Sequence, residues 1–203
     1  MASKKLNKRQ PVGLVDADLL CKGTRHPNLV LLKLAGYFRD HCIPYELIID
    51  VDADLERYQR VYLSRVFVFT KLPKFITDYQ EKHPKTWRKK LQMGGTGFYA
   101  TEEDREKFDE MRGKDMLQLS IDPYLPEFSM VHQMPDYNIY NGYIECEVKK
   151  KVDEEIKKLQ KKNGVAPTAE EIEELIIKHR KKYKDYLDSV SYTHLTLPTN
   201  SLV

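Results

Sequence analysis

Three short segments of this chain carry residue types from which a ligand site could be built. They are Asp16-Ala-Asp18, the region around Ser64, and the glycine-rich turn Gly94-Gly-Thr-Gly97. Carboxylates and a small hydroxyl can hydrogen-bond a polar ligand, and glycines without a Cβ atom let a ring system or a phosphate touch the backbone. Thr96 and the amides that follow it could donate to an anion. This chemistry is noncovalent binding of a cofactor or an anion.

Each segment also has a purely structural interpretation. Asp16 and Asp18 could hydrogen-bond only amides of their own loop, and the glycines could simply turn the chain. The sequence contains no Ser-His-Asp or Cys-His arrangement with independent support, and no P-loop pattern. Both interpretations therefore stay open.

Cysteine and charge usage narrow the class of protein. Cys21, Cys42 and Cys146 are an odd number at wide spacings, which supports neither a disulfide framework nor a zinc site and indicates reduced thiols. A formal charge of +3, from 34 basic and 31 acidic residues, is too small to indicate nucleic acid as a partner. No apolar stretch of signal-peptide length follows the first ten residues, and no apolar run in the given sequence is long enough to cross a bilayer. We expect a cytoplasmic protein without a membrane partner.

The elements that must position the three segments follow a strand and helix alternation. Val12 to Val15 predicts a short strand that ends at Asp16. Asn28 is a suitable N-cap for a buried helix from Leu29 to Arg39, and Tyr45 to Ile49 predicts a second strand. A strand, a helix and a strand at this spacing form a βαβ unit, which predicts parallel pairing.

The central run from Arg60 to Phe69 is rich in Val, Leu, Phe and Tyr. It predicts a strand that is buried on both faces, in the middle of a parallel sheet. Leu72 to Tyr79 predicts a helix, Leu91 to Met93 predicts a fourth strand before the glycine turn, and Glu102 to Met111 predicts a charged helix. Because open α/β sheets hold ligands at the carboxyl ends of their strands, the three segments should converge on one crevice.

The chain divides into three parts. Residues 1–144 predict a Rossmann-like, mostly parallel sheet flanked by helices, and residues 145–189 predict a charged helical hairpin. In the hairpin, Asn163-Gly164 suits a helix end and Thr168-Ala-Glu-Glu171 is a capping box. Its mixed charges favour a connector over a partner-binding surface.

Residues 190–203 differ in character from everything before them. Ser191-Tyr-Thr-His-Leu-Thr-Leu-Pro-Thr199 resembles a translated sequencing adapter, a contaminant at the ends of assembled metagenomic reading frames. We treat it as an artefact and exclude it from fold reasoning. The natural protein is then expected to continue beyond Ser189 or Val190.

Six segments carry a resemblance to a known family. They are Gly13-Leu-Val-Asp-Ala-Asp18, Pro27-Asn-Leu29, Val61-Tyr-Leu-Ser-Arg-Val-Phe67, Gly94-Gly-Thr-Gly97, Pro135-Asp-Tyr137 and Lys184-Asp-Tyr-Leu-Asp188. Over roughly Val12 to Asp188 the chain resembles the amino-terminal, cobalamin-binding-like domain that precedes the radical SAM domain in a group of radical SAM proteins.

The spacing of the cobalamin fingerprint supports this resemblance. The fingerprint is D-x-H-x-x-G, then about forty residues, S-x-L, then a little under thirty residues, and G-G. Asp16-Ala-Asp18-Leu-Leu-Cys21, Ser64-Arg-Val66 and Gly94-Gly95 follow in that order at those intervals. Two residues differ, since Asp18 stands at the position of the cobalt-ligating histidine and Cys21 at that of the glycine. A hard carboxylate is a poor substitute for imidazole on cobalt.

The resemblance therefore implies that cobalamin binds without a protein axial histidine, or that the site is vestigial. It implies no catalytic residue and no protein metal ligand in this chain. The residues that it places at the cofactor are Asp16, Asp18, Ser64, Val66, Gly94, Gly95, Thr96 and Gly97.

The resemblance also implies an accessory domain of a radical SAM enzyme, inactive alone, whose partner is its own missing C-terminal radical SAM domain. The four-iron four-sulfur cluster and S-adenosylmethionine would belong to that missing domain, because this chain has no C-x-x-x-C-x-x-C loop. Two other classes stay open. One is a stand-alone α/β module that binds a nucleotide or another small anion at Gly94 to Gly97, and the other is an interaction protein that acts through the hairpin.

Overall fold

A parallel sheet organises the first part of the chain. The computed structural model describes residues 6–22, 27–98, 122–164 and 166–196. Within these ranges the sheet has four strands, which are β1 (Val12–Asp16), β2 (Tyr45–Leu47), β3 (Arg60–Ser64) and β4 (Leu91–Gly94). All pairings are parallel and the order is β2-β1-β3-β4. The predicted Rossmann-like α/β class is confirmed.

Helices connect and cover the strands. They are α1 (Ala17–Lys22), α2 (Leu29–Asp40) and α3 (Lys74–Lys82). Asn28 caps α2 as predicted, since its side-chain oxygen accepts the amides of Val30 and Leu31. This bond satisfies donors that the first helical turn leaves without a partner.

Apolar side chains leave both faces of β1 and β3, as expected for central parallel strands. The cluster on one face includes Val12, Leu14, Leu34, Phe38 and Tyr62. The cluster on the other face includes Val15, Leu55, Val61, Leu63 and Ile76. Neighbouring residues of a strand fall in opposite clusters, which is the two-residue period of a pleated strand.

Residues 122–139 run over α2. The amide of Asp136 donates to the Leu32 carbonyl oxygen at 2.9 Å. A Cβ atom at Gly36 would lie 1.9 Å from the Met134 carbonyl oxygen, so a side chain there would force the two segments apart. Glycine at this position permits the close approach.

The predicted strand from Arg60 to Phe69 is wrong in its second half. β3 ends at Ser64, and residues 66–69 are 43–64% exposed. The amides of Val66 and Phe67 donate to the side chain of Asp18, so they are not part of the hydrogen bonds between strands. An apolar run cannot by itself separate a buried strand from an apolar loop.

The connection between β2 and β3 contains no α-helix. Residues 48–59 hold one short 3₁₀ turn, Leu55–Arg57, with Asp54 as its N-cap. Crossovers between parallel strands usually contain a helix. This face of the sheet is therefore covered by α3 and a short loop.

The second part of the chain is a pair of helices, α4 (Asn141–Asn163) and α5 (Ala169–Thr196). Gly164, with φ of 71°, ends α4 in the left-handed conformation. The predicted capping box is confirmed, because the Thr168 amide donates to Glu171 and the Glu171 amide donates to Thr168 Oγ1. Contacts between the helices include an ion pair of Glu145 with Arg180 at 2.8 Å.

Two further predictions concern residues at or beyond the limits of the described ranges. The predicted helix from Glu102 to Met111 lies outside the described residues. The backbone of α5 continues to Thr196, into the stretch assigned to an adapter, and that assignment stays a prediction. In the ranges that the structure covers, none of the helices has the length and apolarity needed to cross a bilayer.

A buried ion pair fixes the amino end of β3. The Arg60 guanidinium donates to Asp122 Oδ2 at 2.9 Å, and both side chains are at most 6% exposed. The same guanidinium donates to the Lys89 carbonyl oxygen at 2.9 Å and lies 4.4 Å from the ring centroid of Tyr124. Burial, together with the charge of Asp122, raises the pKa of Tyr62, so this phenol stays protonated beside Arg60.

We predict that Asp122→Ala lowers the free energy of unfolding by about 3 kcal/mol, because it leaves the Arg60 charge buried without its partner. Urea denaturation measures the change. Glu56→Ala is the matched control, since it breaks the exposed pair of Glu56 with Lys90 and should lower the free energy by less than about 1 kcal/mol. Equal losses in the two variants would contradict the assigned role of Asp122.

Candidate functional site

The three sequence segments meet at the carboxyl edge of the sheet. Asp16 is the register partner of Ser64, and Ser64 is the register partner of Gly94. β2 lies on one side of β1, while β3 and β4 lie on the other, so the chain changes winding direction between β1 and β3. Open α/β sheets hold ligands in the crevice at such a switch point. The expected convergence in space is therefore present.

Asp16 caps the helix that follows it. Its Oδ1 atom accepts the Leu19 amide at 3.0 Å, and the residue is 1% exposed. This is the ordinary bond of an N-cap carboxylate with the third helical amide. The structural interpretation therefore accounts for at least one oxygen of this side chain.

Asp18 bonds to a different segment, the β3 loop, which we define as residues 65–70. Its carboxylate accepts the amide of Val66 at 2.7 Å, the amide of Phe67 at 3.3 Å, and the hydroxyl of Thr70. Asp18 and Thr70 are each 3% exposed. Three donors on one buried carboxylate fix the path of the loop, since charge-assisted hydrogen bonds are among the strong ones.

Ser64 bonds to the start of α2. The Asn28 side-chain nitrogen donates to Ser64 Oγ at 2.7 Å while its oxygen caps the helix. Asn28 is 7% exposed and Ser64 is 4% exposed. The hydroxyl that the resemblance places beside a cofactor is therefore engaged by the protein's own amide.

The glycine turn packs on the β3 loop. A Cβ atom at Gly95, where φ is 108°, would lie 2.3 Å from the Arg65 carbonyl oxygen. A Cβ atom at Gly97 would lie 2.7 Å from the Phe67 carbonyl oxygen. These two glycines therefore serve contact between two chain segments. Gly94 differs, because among the described residues no atom outside its chain neighbours lies within 4 Å of a Cβ built there.

Polar bonds join the turn and the loop. Thr96 Oγ1 donates to the Val66 carbonyl oxygen at 2.8 Å, and the Gly97 amide donates to the Arg65 carbonyl oxygen at 2.9 Å. The Arg65 guanidinium donates to the carbonyl oxygens of Thr70 and Gly97, and it lies 4.2 Å from the ring centroid of Phe98. We call Asp18, residues 65–70 and residues 94–98 together the edge cluster.

The edge cluster carries an apolar tip, which we define as Val66–Phe69. Its four residues are 43%, 45%, 53% and 64% exposed in chain order. The rings of Phe67 and Phe69 stack with their centroids 5.3 Å apart and an angle of 11° between their planes. Contiguous exposed apolar surface often marks an interaction site. Sequence reasoning missed this tip because the same residues matched a buried strand.

These contacts decide whether the residues fit cobalamin. Asp18 is fixed by three donors, Asn28 bonds to Ser64, and Gly95 and Gly97 face the β3 loop. A cofactor tail beside Ser64 would have to break these bonds, so the described crevice residues do not fit the group. No cluster of three or more metal-ligating side chains occurs in the described ranges.

Comparison of the chain with protein-family models, with curated proteins and with solved structures finds no match. Function must therefore be inferred from the fold and from the geometry of the edge cluster.

We predict that Asp18→Ala lowers the free energy of unfolding by about 3 kcal/mol, because it leaves three donors of the β3 loop without their acceptor. Hydrogen exchange checks the location of the effect. The amides of Val66 and Phe67 should lose protection in this variant, and amides of α5 should keep theirs. Asp18→Asn, which retains one acceptor oxygen, should give a smaller loss. Unchanged protection at Val66 in Asp18→Ala would contradict the assigned contact.

Proposed function

We propose that the sheet unit is a non-catalytic accessory domain of a longer radical SAM enzyme, and that its apolar tip contacts the catalytic domain. In this proposal the crevice is vestigial as a cofactor site, because Asp18, Asn28 and Ser64 bond to other groups of the protein there. The observation that carries the proposal is the edge cluster. It sits where the three fingerprint-like segments meet, and its bonds serve to hold the β3 loop.

The buried, mutually bonded polar groups of the crevice support a structural role over cofactor binding. Asp16, Asp18, Asn28 and Ser64 are between 1% and 7% exposed. Buried polar groups that bond to one another are expensive to separate, since each lost bond leaves a desolvated donor or acceptor. Asp18 also stands at the position where the resemblance has an imidazole. In this proposal Asp18 holds the β3 loop through hydrogen bonds and does not bind a metal.

The apolar tip supports a macromolecular partner. Burying apolar surface stabilises a contact by roughly 25 cal/mol per Å². The tip is held in advance by Asp18, Thr96 and Arg65, so little conformational entropy would be lost when a partner covers it. A domain in the same chain needs only a modest interface to dock, because the linkage keeps its local concentration high.

The alternative of anion binding at Gly94 to Gly97 has weaker support. The amides of Gly97 and Phe98 already donate to the carbonyl oxygens of Arg65 and Gly95. The Thr96 hydroxyl is likewise engaged. The alternative of a partner at the hairpin is also weaker, because charges such as Glu145 and Arg180 pair between its two helices.

A titration with hydroxocobalamin tests the vestigial interpretation of the crevice. We expect the 203-residue chain to give no change in the cobalamin absorption spectrum and no comigration on gel filtration, because a tail beside Ser64 would have to displace Asn28. A stoichiometric spectral change, or comigration of protein and cobalamin, would overturn the vestigial interpretation.

The contact with a catalytic domain is tested in the protein encoded by the uninterrupted genomic reading frame. We expect that frame to continue beyond Val190 and to encode a cysteine triplet. In the longer protein, Phe67→Ser should lower the melting temperature of the first unfolding transition by a few degrees. In the 203-residue chain the same substitution should have little effect, because Phe67 is already exposed.

Val131→Ser is the matched control, since Val131 is 61% exposed and lies outside the edge cluster. It should leave the melting temperature unchanged in both proteins. A stop codon directly after Val190, or equal effects of Phe67→Ser and Val131→Ser in the longer protein, would contradict the proposed function.

A further inference from the structure

A groove lies between the loop that follows β2 and helix α3. Its volume is about 310 Å³, and it is lined on one side by residues 51–55 and on the other by Lys74, Phe75, Asp78, Tyr79 and Lys82. It exists because the β2–β3 connection has only a 3₁₀ turn where crossovers usually have a helix. None of its lining residues belongs to the edge cluster.

The two walls of the groove carry opposite net charges, because the loop wall has two carboxylates and the α3 wall has two lysines and the carboxylate of Asp78. Asp52 and Asp54 line the loop wall, while Lys74 and Lys82 line the α3 wall. Lys74, Asp78 and Lys82 are spaced four residues apart and so share one face of the helix. Among the described residues, neither lysine forms an ion pair within 4.0 Å, although carboxylates line the same groove.

We propose that this groove binds a small zwitterion of the free amino-acid class that has an apolar side chain. The ligand's ammonium group would face Asp52 and Asp54, and its carboxylate would face Lys74 and Lys82. A simple anion would meet the repulsion of three carboxylates, and a simple amine that of two ammonium groups. A dipolar ligand matches both walls at once.

The floor of the groove is formed by apolar side chains. Leu55 is 2% exposed and Phe75 is 8% exposed, and both line the groove with apolar surface. The volume lies at the lower end of the range of about 300–1,000 Å³ for ligand sites. It suits a single amino acid and is too small for a dinucleotide or a corrinoid. The inference does not rest on the proposed accessory function.

A nuclear magnetic resonance titration of the ¹⁵N-labelled 203-residue chain tests the inference, with L-leucine and L-phenylalanine as probes. We expect saturable shifts at amides of residues 51–55 and 74–82, and none in the helical unit. Leucinamide lacks the carboxylate and N-acetyl-leucine lacks the ammonium group. Each should bind about fivefold more weakly than leucine, as expected for the loss of one solvent-accessible ion pair.

Matched lysine variants complete the test. Lys82→Gln should weaken L-leucine binding about fivefold, whereas Lys85→Gln, which removes an exposed lysine outside the groove, should leave it unchanged. Both side chains are exposed, so both variants should fold. The inference is overturned if neither amino acid gives saturable shifts at the groove, or if inorganic phosphate binds more tightly than leucine. It is also overturned if the two leucine derivatives bind as well as leucine, or if both lysine variants bind leucine equally well.

Discussion

The bonds of the Asp18 carboxylate determine the architecture of the carboxyl edge. One side chain, 3% exposed, accepts two amides and one hydroxyl from the β3 loop. Without this acceptor the amides of Val66 and Phe67 would have no described partner, and the glycine turn would lose the surface on which it packs. The exposed position of the apolar tip follows from the same bonds. Asp18 thus acts through hydrogen bonds within the protein.

The structure separates two regions of the sheet unit with different chemistry. At the switch point, polar groups are buried and bonded to one another, so the surface offers mainly apolar side chains of the β3 loop. Between the β2–β3 connection and α3, charged groups line an open groove above an apolar floor. The first region suits contact with a protein surface, and the second suits a small polar ligand. A single chain can serve both because neither region shares residues with the other.

Local signals in the sequence predicted most of the fold. The N-cap Asn28, the helix end at Gly164 and the capping box at Thr168 depend on residues within four positions, so they can be identified without tertiary information. The end of β3 could not be predicted in this way, because it depends on Asp18, which is 48 residues from Val66. The sequence predicted where the candidate site lies, at the carboxyl ends of the strands. Its role depends on contacts such as that of Asn28 with Ser64, which the spacing of residues in the sequence does not show. The sequence did not predict the groove between the β2–β3 connection and α3. This groove is present because the connection lacks the helix that such crossovers usually contain.

The buried pair of Arg60 and Asp122 has a consequence for how long the folded state persists. The two residues are 62 positions apart, so closing the loop between them costs conformational entropy, and we expect their bond to form late in folding. Interactions that form after the folding transition state have little effect on the folding rate and act mainly by slowing unfolding. We therefore expect the pair to slow unfolding of the sheet more than it speeds folding.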